Sequence, residues 1–308
     1  MKILVIGARG YVGSRLIPEL IARGHTVIAG IRDVATASAI LTTGTLITHC
    51  DVLDEASVIA SLTHAGEPVD AVIYLVHRMS YGSEFAKEDA RGARTVCQAM
   101  AAAGVGRCVY LSGLRPDCDD QELSAHMRSR LEVEELLAIG PTPTLTIRAG
   151  VIIGAGSTSF EALRGLCELL PLQPIAPWMR HRIEPVAEVD VLEVLCGSLV
   201  GPPQRGSIDI GCGEQFTYPE LLRLYARLAR RPILQIPIPA IPCDLVAHAL
   251  ANVVPHDGMT VAAMIDSLCH DMVCADNSTR KHDLVPAGWA WKSAHEAIHT
   301  SLYLQTAS

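Results

Sequence analysis

This chain of 308 residues has no basic run, no C-x-x-C pair and no unbroken apolar stretch of membrane-spanning length. Each absence narrows what it does. Lys and Arg number 25 against 33 Asp and Glu, a formal charge of −8, with the two signs interspersed. That balance argues against nucleic acid as the main partner. The ten cysteines stand at 50, 97, 108, 118, 167, 196, 212, 243, 269 and 274. Cys97, Cys108 and Cys196 fall inside apolar segments, so free buried thiols in a reducing, cytoplasmic setting are expected. The apolar stretch from Ile233 to Pro255 is broken by Pro237, Pro239, Pro242 and Asp244. It reads as part of a lobe or an interface, and no transmembrane segment is expected. At the N-terminus the apolar run after Lys2 stops at Gly7, too soon for the core of a signal peptide. No metal site is expected from the twelve histidines. Internal repeats and low-complexity segments are absent.

What is present is concentrated at the start. Ile3-Leu4-Val5-Ile6 is a continuous apolar run, the pattern of a strand buried on both faces of a parallel sheet. Gly7, Gly10 and Gly13 follow at three-residue spacing, then a helical pattern over 14–23 and a second strand over 26–31. This βαβ context turns a common glycine triplet into a dinucleotide-binding fingerprint. Glycine permits a tight turn and a close approach to a pyrophosphate, and the helix behind it aims free N–H groups and its positive dipole end at the phosphates. Arg32 stands about twenty residues on, where an acid would bind the ribose 2′-hydroxyl of NAD. An arginine there suits a 2′-phosphate, with Arg9 as a second cation, so NADP(H) is favoured over NAD(H). The competing reading makes Arg32 a solvated strand-end charge and gives the ribose to Asp33.

Further along, 45–50 reads as a third strand ending at Asp51, placed either to receive the adenine amino group or to serve as a cap or turn residue. Helices over 55–64, 83–103 and 123–138 alternate with strands over 70–76, 108–111 and 144–149. Leu123, Met127, Leu131 and Leu136 are taken as the apolar spine of the third of these helices. Right-handed crossovers then give a Rossmann-type, doubly wound parallel sheet of order 3-2-1-4-5-6 in an α/β fold. After residue 154 the prolines concentrate. Helices are expected over 157–170, 186–199, 217–230, 260–270 and 293–304, and a short strand over 207–211 returns to the sheet. The expected division is 1–154, with returning segments near 183–211, as the nucleotide-binding domain. Residues 155–182 and 212–308 form a smaller, discontinuous C-terminal substrate lobe.

The set GARGYVG at 7–13, Arg32, Asp51-Val52, Leu111-Ser112-Gly113, RAGVIIG at 148–154 and PVAEVDV at 185–191 resembles the short-chain dehydrogenase/reductase superfamily in its extended or atypical branch. The likeness spans about two-thirds of the chain in family order. The LSAHMRSRLEVEELL helix and the RAGVIIGAGSTSFEALR segment resemble NmrA-like regulators and proteins similar to the 39-kDa complex I subunit. The resemblance implies cofactor contacts from Gly7, Arg9, Gly10, Tyr11, Val12, Gly13, Arg32, Asp51, Val52, Leu75, Val76, His77 and Leu111. It also implies a departure. The superfamily uses a serine, then Tyr-x-x-x-Lys on the next helix. Ser112 matches the serine, but His126 stands at the tyrosine position and Arg130 at the lysine position. The i, i+4 spacing keeps both on one helix face.

Two readings stay open. In one, His126 is an acid or base near neutral pH and Arg130 holds the cofactor ribose. In the other the active site has drifted and only binding remains. The leading expectation is an oxidoreductase reducing a carbonyl or activated C=C of a small, largely apolar substrate. That substrate would lie against Met79, Tyr81, Ile152, Ile153 and Trp178. A non-catalytic NADP(H)-binding regulator or assembly protein is the main rival, and a nucleotide-sugar epimerase or dehydratase the weaker one. A homodimer is left open.

Overall fold

The computed structural model describes residues 1–35, 44–64, 66–77, 84–239, 269–275 and 281–306. Seven parallel strands form its central sheet: β1 (Lys2–Ile6), β2 (Thr26–Ile31), β3 (Leu46–His49), β4 (Ala71–Tyr74), β5 (Arg107–Gly113), β6 (Thr144–Ala149) and β7 (Gly206–Ile210). Their order is β7-β6-β5-β4-β1-β2-β3. The chain winds outward from β1 to β3, then crosses back to lay β4 against the other side of β1. That reversal opens a crevice beyond the carboxyl ends of β1 and β4, where open α/β sheets bind ligands. The expected order holds, and the strand expected at 207–211 returns beside β6.

Alternation along the strands explains the layers. Ile3 and Val5 point into one core, against Leu16, Ile17 and Leu20 of α1 (Tyr11–Ala22) and Val191, Val194 and Leu195 of α6 (Glu188–Gly197). Leu4 and Ile6 point into the other, against α2 (Glu55–Ser61), α3 (Glu84–Ala103) and α4 (Ala125–Ala138). Pro18 lies inside α1 without ending it. The spine of α4 differs from expectation: its buried residues are Met127, Ser129, Val133 and Leu137, while Leu131 is only half-buried. Ser129 is tolerated there because its hydroxyl donates to Asp89 at 3.2 Å.

Beyond β6 the chain leaves the sheet. Val151–Ile153 pairs in parallel with Pro185–Ala187, so the helix expected from 186 begins only at Glu188. A third core collects Phe160, Leu163 and Cys167 of α5 (Thr158–Leu169), Tyr218, Leu221, Leu222 and Tyr225 of α7 (Tyr218–Leu228), and Ile298 of α8 (Ala294–Thr306). Both α5 and α7 start at side-chain caps: Ser157 accepts from Phe160 N, and Thr217 forms a capping box with Glu220. The prolines expected to break the stretch at 233–255 are in part outside the described residues, as is most of the helix expected over 260–270. Among the described residues no helix is long and apolar enough to cross a membrane. The nine described cysteines are free, and Cys243 lies outside that set.

Candidate functional site

The glycines of the first turn have three separate jobs. Gly7 sits at φ +89°, and a Cβ there would lie 3.1 Å from the Leu75 carbonyl carbon. Gly13 packs α1 onto the turn, since its Cβ would fall 2.5 Å from the Gly7 carbonyl oxygen. Gly10 is different. Its φ is −64°, its N–H donates to Gly7 O at 3.0 Å, and it caps α1 with no side chain. Gly10 thus brings no side-chain oxygen to the first N–H groups of α1, which suits an anion site at this helix start.

Two cavities open on this turn, and both are lined by Gly7 and Gly10. The first, about 380 Å³, runs over the ends of β2 and β3 and is lined by Arg9, Arg32, Asp33, Asp51, Val52 and Val76, among others. Asp33 is engaged locally, its Oδ1 accepting from Ala35 N at 3.2 Å. Asp51 closes a turn by accepting from Leu53 N at 3.0 Å, and the cap of α2 is Asp54. Of the readings open for Asp51, the turn is the one formed, and its place on the cavity wall is retained.

The second cavity, about 270 Å³, lies over the ends of β1, β4, β5 and β6. It brings together Tyr11, Val12, Gly13, Leu75, His77, Leu111, Ser112, His126, Arg130 and Ile152. Ser112 lies near the end of β5 at 2% exposure with the Tyr110 hydroxyl beside it, and Arg130 Nε has no hydrogen-bond partner among the described residues. Arg130 reaches back from α4 to donate to Leu111 O at 3.4 Å. The His77 and His126 rings meet edge to face, 6.1 Å between centroids. Burial, then the Arg130 charge, pushes His126 down to about 3. Burial, Arg130 and His126 together hold His77 well below the ordinary imidazole range. Both rings are thus neutral at pH 7, so His126 is not the acid of ordinary pKa that its position invites.

Other expected residues are placed elsewhere. Ile153 is 1% exposed and faces the third core, and Trp178 packs against that core. Met79 and Tyr81 lie outside the described residues. The Tyr11 hydroxyl is spent on a short bond to Glu188, while Arg15 lies 4.0 Å over the Tyr11 ring and 2.8 Å from Glu188 Oε1. Burial raises Glu188 above the usual carboxylate range. This knot ties α1 to α6 beside the turn.

Sequence reasoning missed Tyr218, Met272 and Ser157 to Ser159 on the cavity wall. The capping motif that starts α7 was visible, but nothing local says that this start opens on Ser112. Met272 arrives through a bridge to Ile183 and is held there when Glu184 N donates to its carbonyl at 2.9 Å. Also passed over was the run His295-Glu296-Ala297-Ile298-His299, which has the H-E-x-x-H spacing of some zinc sites. Its histidines are exposed with their rings stacked 6.3 Å apart, and Glu296 caps its own helix by accepting from Ser293. Among the described residues no group of three His, Cys, Asp or Glu is placed to hold a metal.

Residues 3–125 match the sequence model of the NAD dependent epimerase/dehydratase family. Over those residues, which include the glycine turn, Arg32 and Ser112, the chain is similar to that family. It is 30% identical over 199 residues to a 3-diazoavenalumate denitrifying reductase of a Streptomyces species, covering 56% of this chain and 64% of that protein. It is 31% identical over 152 residues to the chloroplastic divinyl chlorophyllide a 8-vinyl-reductase of Zea mays, covering 44% and 35% respectively. The chain thus spans less than two-thirds of the length of these relatives. The crystal structure of a UDP-glucose 4-epimerase from Thermotoga maritima superposes with a TM-score of 0.72 at 16% identity, over 100% of this chain and 99% of that one. That likeness shows the fold alone.

Proposed function

We propose that this protein is an NADP(H)-dependent oxidoreductase that reduces a carbonyl or activated C=C bond of a small organic substrate. One observation carries the reading. The glycine turn joins two cavities, one bearing Arg32 at its rim and the other bearing Ser112, His126 and Arg130. Together they form a trough whose two ends suit the two halves of a dinucleotide, and the wall at the second end combines a few polar groups with apolar side chains. The two reductases among the relatives support the same reaction class.

In this reading Gly7, Gly10 and the start of α1 hold the pyrophosphate, with Arg32 on the 2′-phosphate and Val52 and Val76 beside the adenine. Residues 1–154 with the returning segments form the cofactor domain. The substrate lobe is built on the third core, from which Tyr218 and Met272 close the cavity. Bound nicotinamide supplies the hydride. Ser112 donates a hydrogen bond to the acceptor group of the substrate, and Arg130 holds a fixed positive charge beside it. His126, neutral at pH 7, donates an N–H but has no acidic proton to give. One hydride and one proton are consumed per turnover, and the proton comes through water or a substrate group.

The low value of His126 and the missing Tyr-x-x-x-Lys pair also favour a second reading, a redox-sensing protein that binds NADP(H) without turning it over. NADPH oxidation with a panel of aldehydes, ketones and enones, run beside a binding titration, separates the two. Turnover with any of them supports the enzyme, and tight binding with none supports the sensor.

A further inference from the structure

The second cavity holds a fixed cation, Arg130. Its Nε is buried without a hydrogen-bond partner among the described residues, and the two neutral imidazoles each offer one N–H and one acceptor nitrogen. Among the described residues no Asp or Glu lines this cavity. The carboxylates on neighbouring turns of α4 are committed elsewhere: Glu134 holds Arg148 through bonds of 3.0 and 2.6 Å, and Glu132 pairs with Arg94 at 3.1 Å. Among the described residues Arg130 donates to the Leu111 carbonyl, at the long distance of 3.4 Å.

A partly buried guanidinium without a counter-charge is unfavourable, and unmet buried donors are unfavourable as well. The ribose hydroxyls of a bound cofactor would meet some of these N–H groups and leave the charge uncancelled. A planar group with negative charge and two acceptor oxygens would satisfy both needs, because the guanidinium fork matches carboxylate geometry. Burial is the main cause that depresses His77 and His126, and the Arg130 charge across the cavity adds to it.

We propose that the substrate is an organic acid whose carboxylate docks against Arg130, leaving its apolar body toward Val151, Ile152 and Tyr218. This rests on the oxidoreductase reading and names its substrate class. The carboxylate anchors the molecule, and the reducible bond is carried elsewhere on it.

Benzoate and benzamide are matched single-ring probes that differ in charge. Their binding is measured by calorimetry on the full chain saturated with NADP⁺. The expected result is at least tenfold tighter binding of benzoate. That preference should be erased in Arg130→Gln and kept in part in Arg130→Lys, which retains the charge but loses the fork. Equal binding, or binding of neither probe by a wild-type protein that takes up NADP⁺, would overturn the carboxylate assignment and leave the oxidoreductase reading intact. Failure to take up NADP⁺ at all would overturn both.

Discussion

Arg32 and Asp33 are neighbours on the rim of the first cavity, and their surroundings set them apart. Asp33 turns its carboxylate to Ala35 N, and the proposed function gives the cofactor's 2′-phosphate to Arg32. Arg32→Ala should therefore weaken NADP(H) by ten- to a hundredfold, the roughly 1.5–3 kcal/mol of a charged hydrogen bond, and leave NAD(H) little changed. Parallel titrations of the two cofactors check this, and equal losses would remove Arg32 from the phosphate. His126 leads to two further expectations. Its folded value is about 3 against an ordinary 6.5, with Arg130 on its own helix and His77 from the end of β4 facing it. Because it is neutral through the physiological range, His126→Phe should cost about tenfold in kcat, the worth of one hydrogen bond, instead of the roughly 10²–10⁴-fold of a lost general acid. The pH profile of kcat should carry no inflection that disappears in that variant. The same depression makes a stability statement. Unfolding lets His126 gain a proton below 6.5, so its contribution is complete above that pH and is lost as the pH falls toward 3, by at most about 1.4 kcal/mol per unit. Thermal unfolding measured from about pH 7 down to about pH 5 should show a shallower fall in Tm for His126→Gln than for wild type. Parallel curves would mean the ring is solvated.

The strand–turn–helix unit of β1 and α1 shows why spacing alone does not rank the glycines. Gly13 has no room, since a Cβ would meet Gly7 O at 2.5 Å and Ala8 Cα at 2.9 Å. Gly13→Ala should lower stability by about 1–3 kcal/mol, the range for overpacking, as read by chemical denaturation. Gly10 has an ordinary φ, and its Cβ would meet only Gly7 O at 3.2 Å. Gly10→Val should fold and fail to bind NADP(H), because its side chain would occupy the space left for the pyrophosphate. A folded Gly10→Val protein with normal affinity would move the site elsewhere. Elements of this kind were legible because their signals are local. Ser124, Ser157 and Thr217 each announce a helix start three residues ahead of the N–H they receive. The spine of α4 was misjudged because a serine with a buried partner does not look like core. Val186 and Ala187 were read as helix because only a distant segment, Val151–Ile153, makes them a strand.

At the level of the molecule, the parallel sheet and its switch point could be read from alternating segments, because right-handed crossovers leave few ways to join them. The pairing of Ser112, His126 and Arg130 was readable too, since one strand end and the next helix suffice. The far wall was not. Tyr218 and Met272 reach the cavity through packing between segments distant in sequence, and no periodicity within either segment encodes that meeting. Nor does sequence report that burial, with the Arg130 charge added, would keep both histidines neutral. The central claim is that the second cavity delivers a hydride to a substrate. Its most direct test is deuteride transfer: NADPH carrying deuterium at the transferable C4 position is incubated with the protein and a panel of aldehydes, ketones, enones and unsaturated carboxylic acids, and products are read by mass spectrometry. The account predicts a reduced product one mass unit heavier, made in proportion to NADP⁺ formed. Tight NADPH binding with no deuterium in any product across the panel would contradict it.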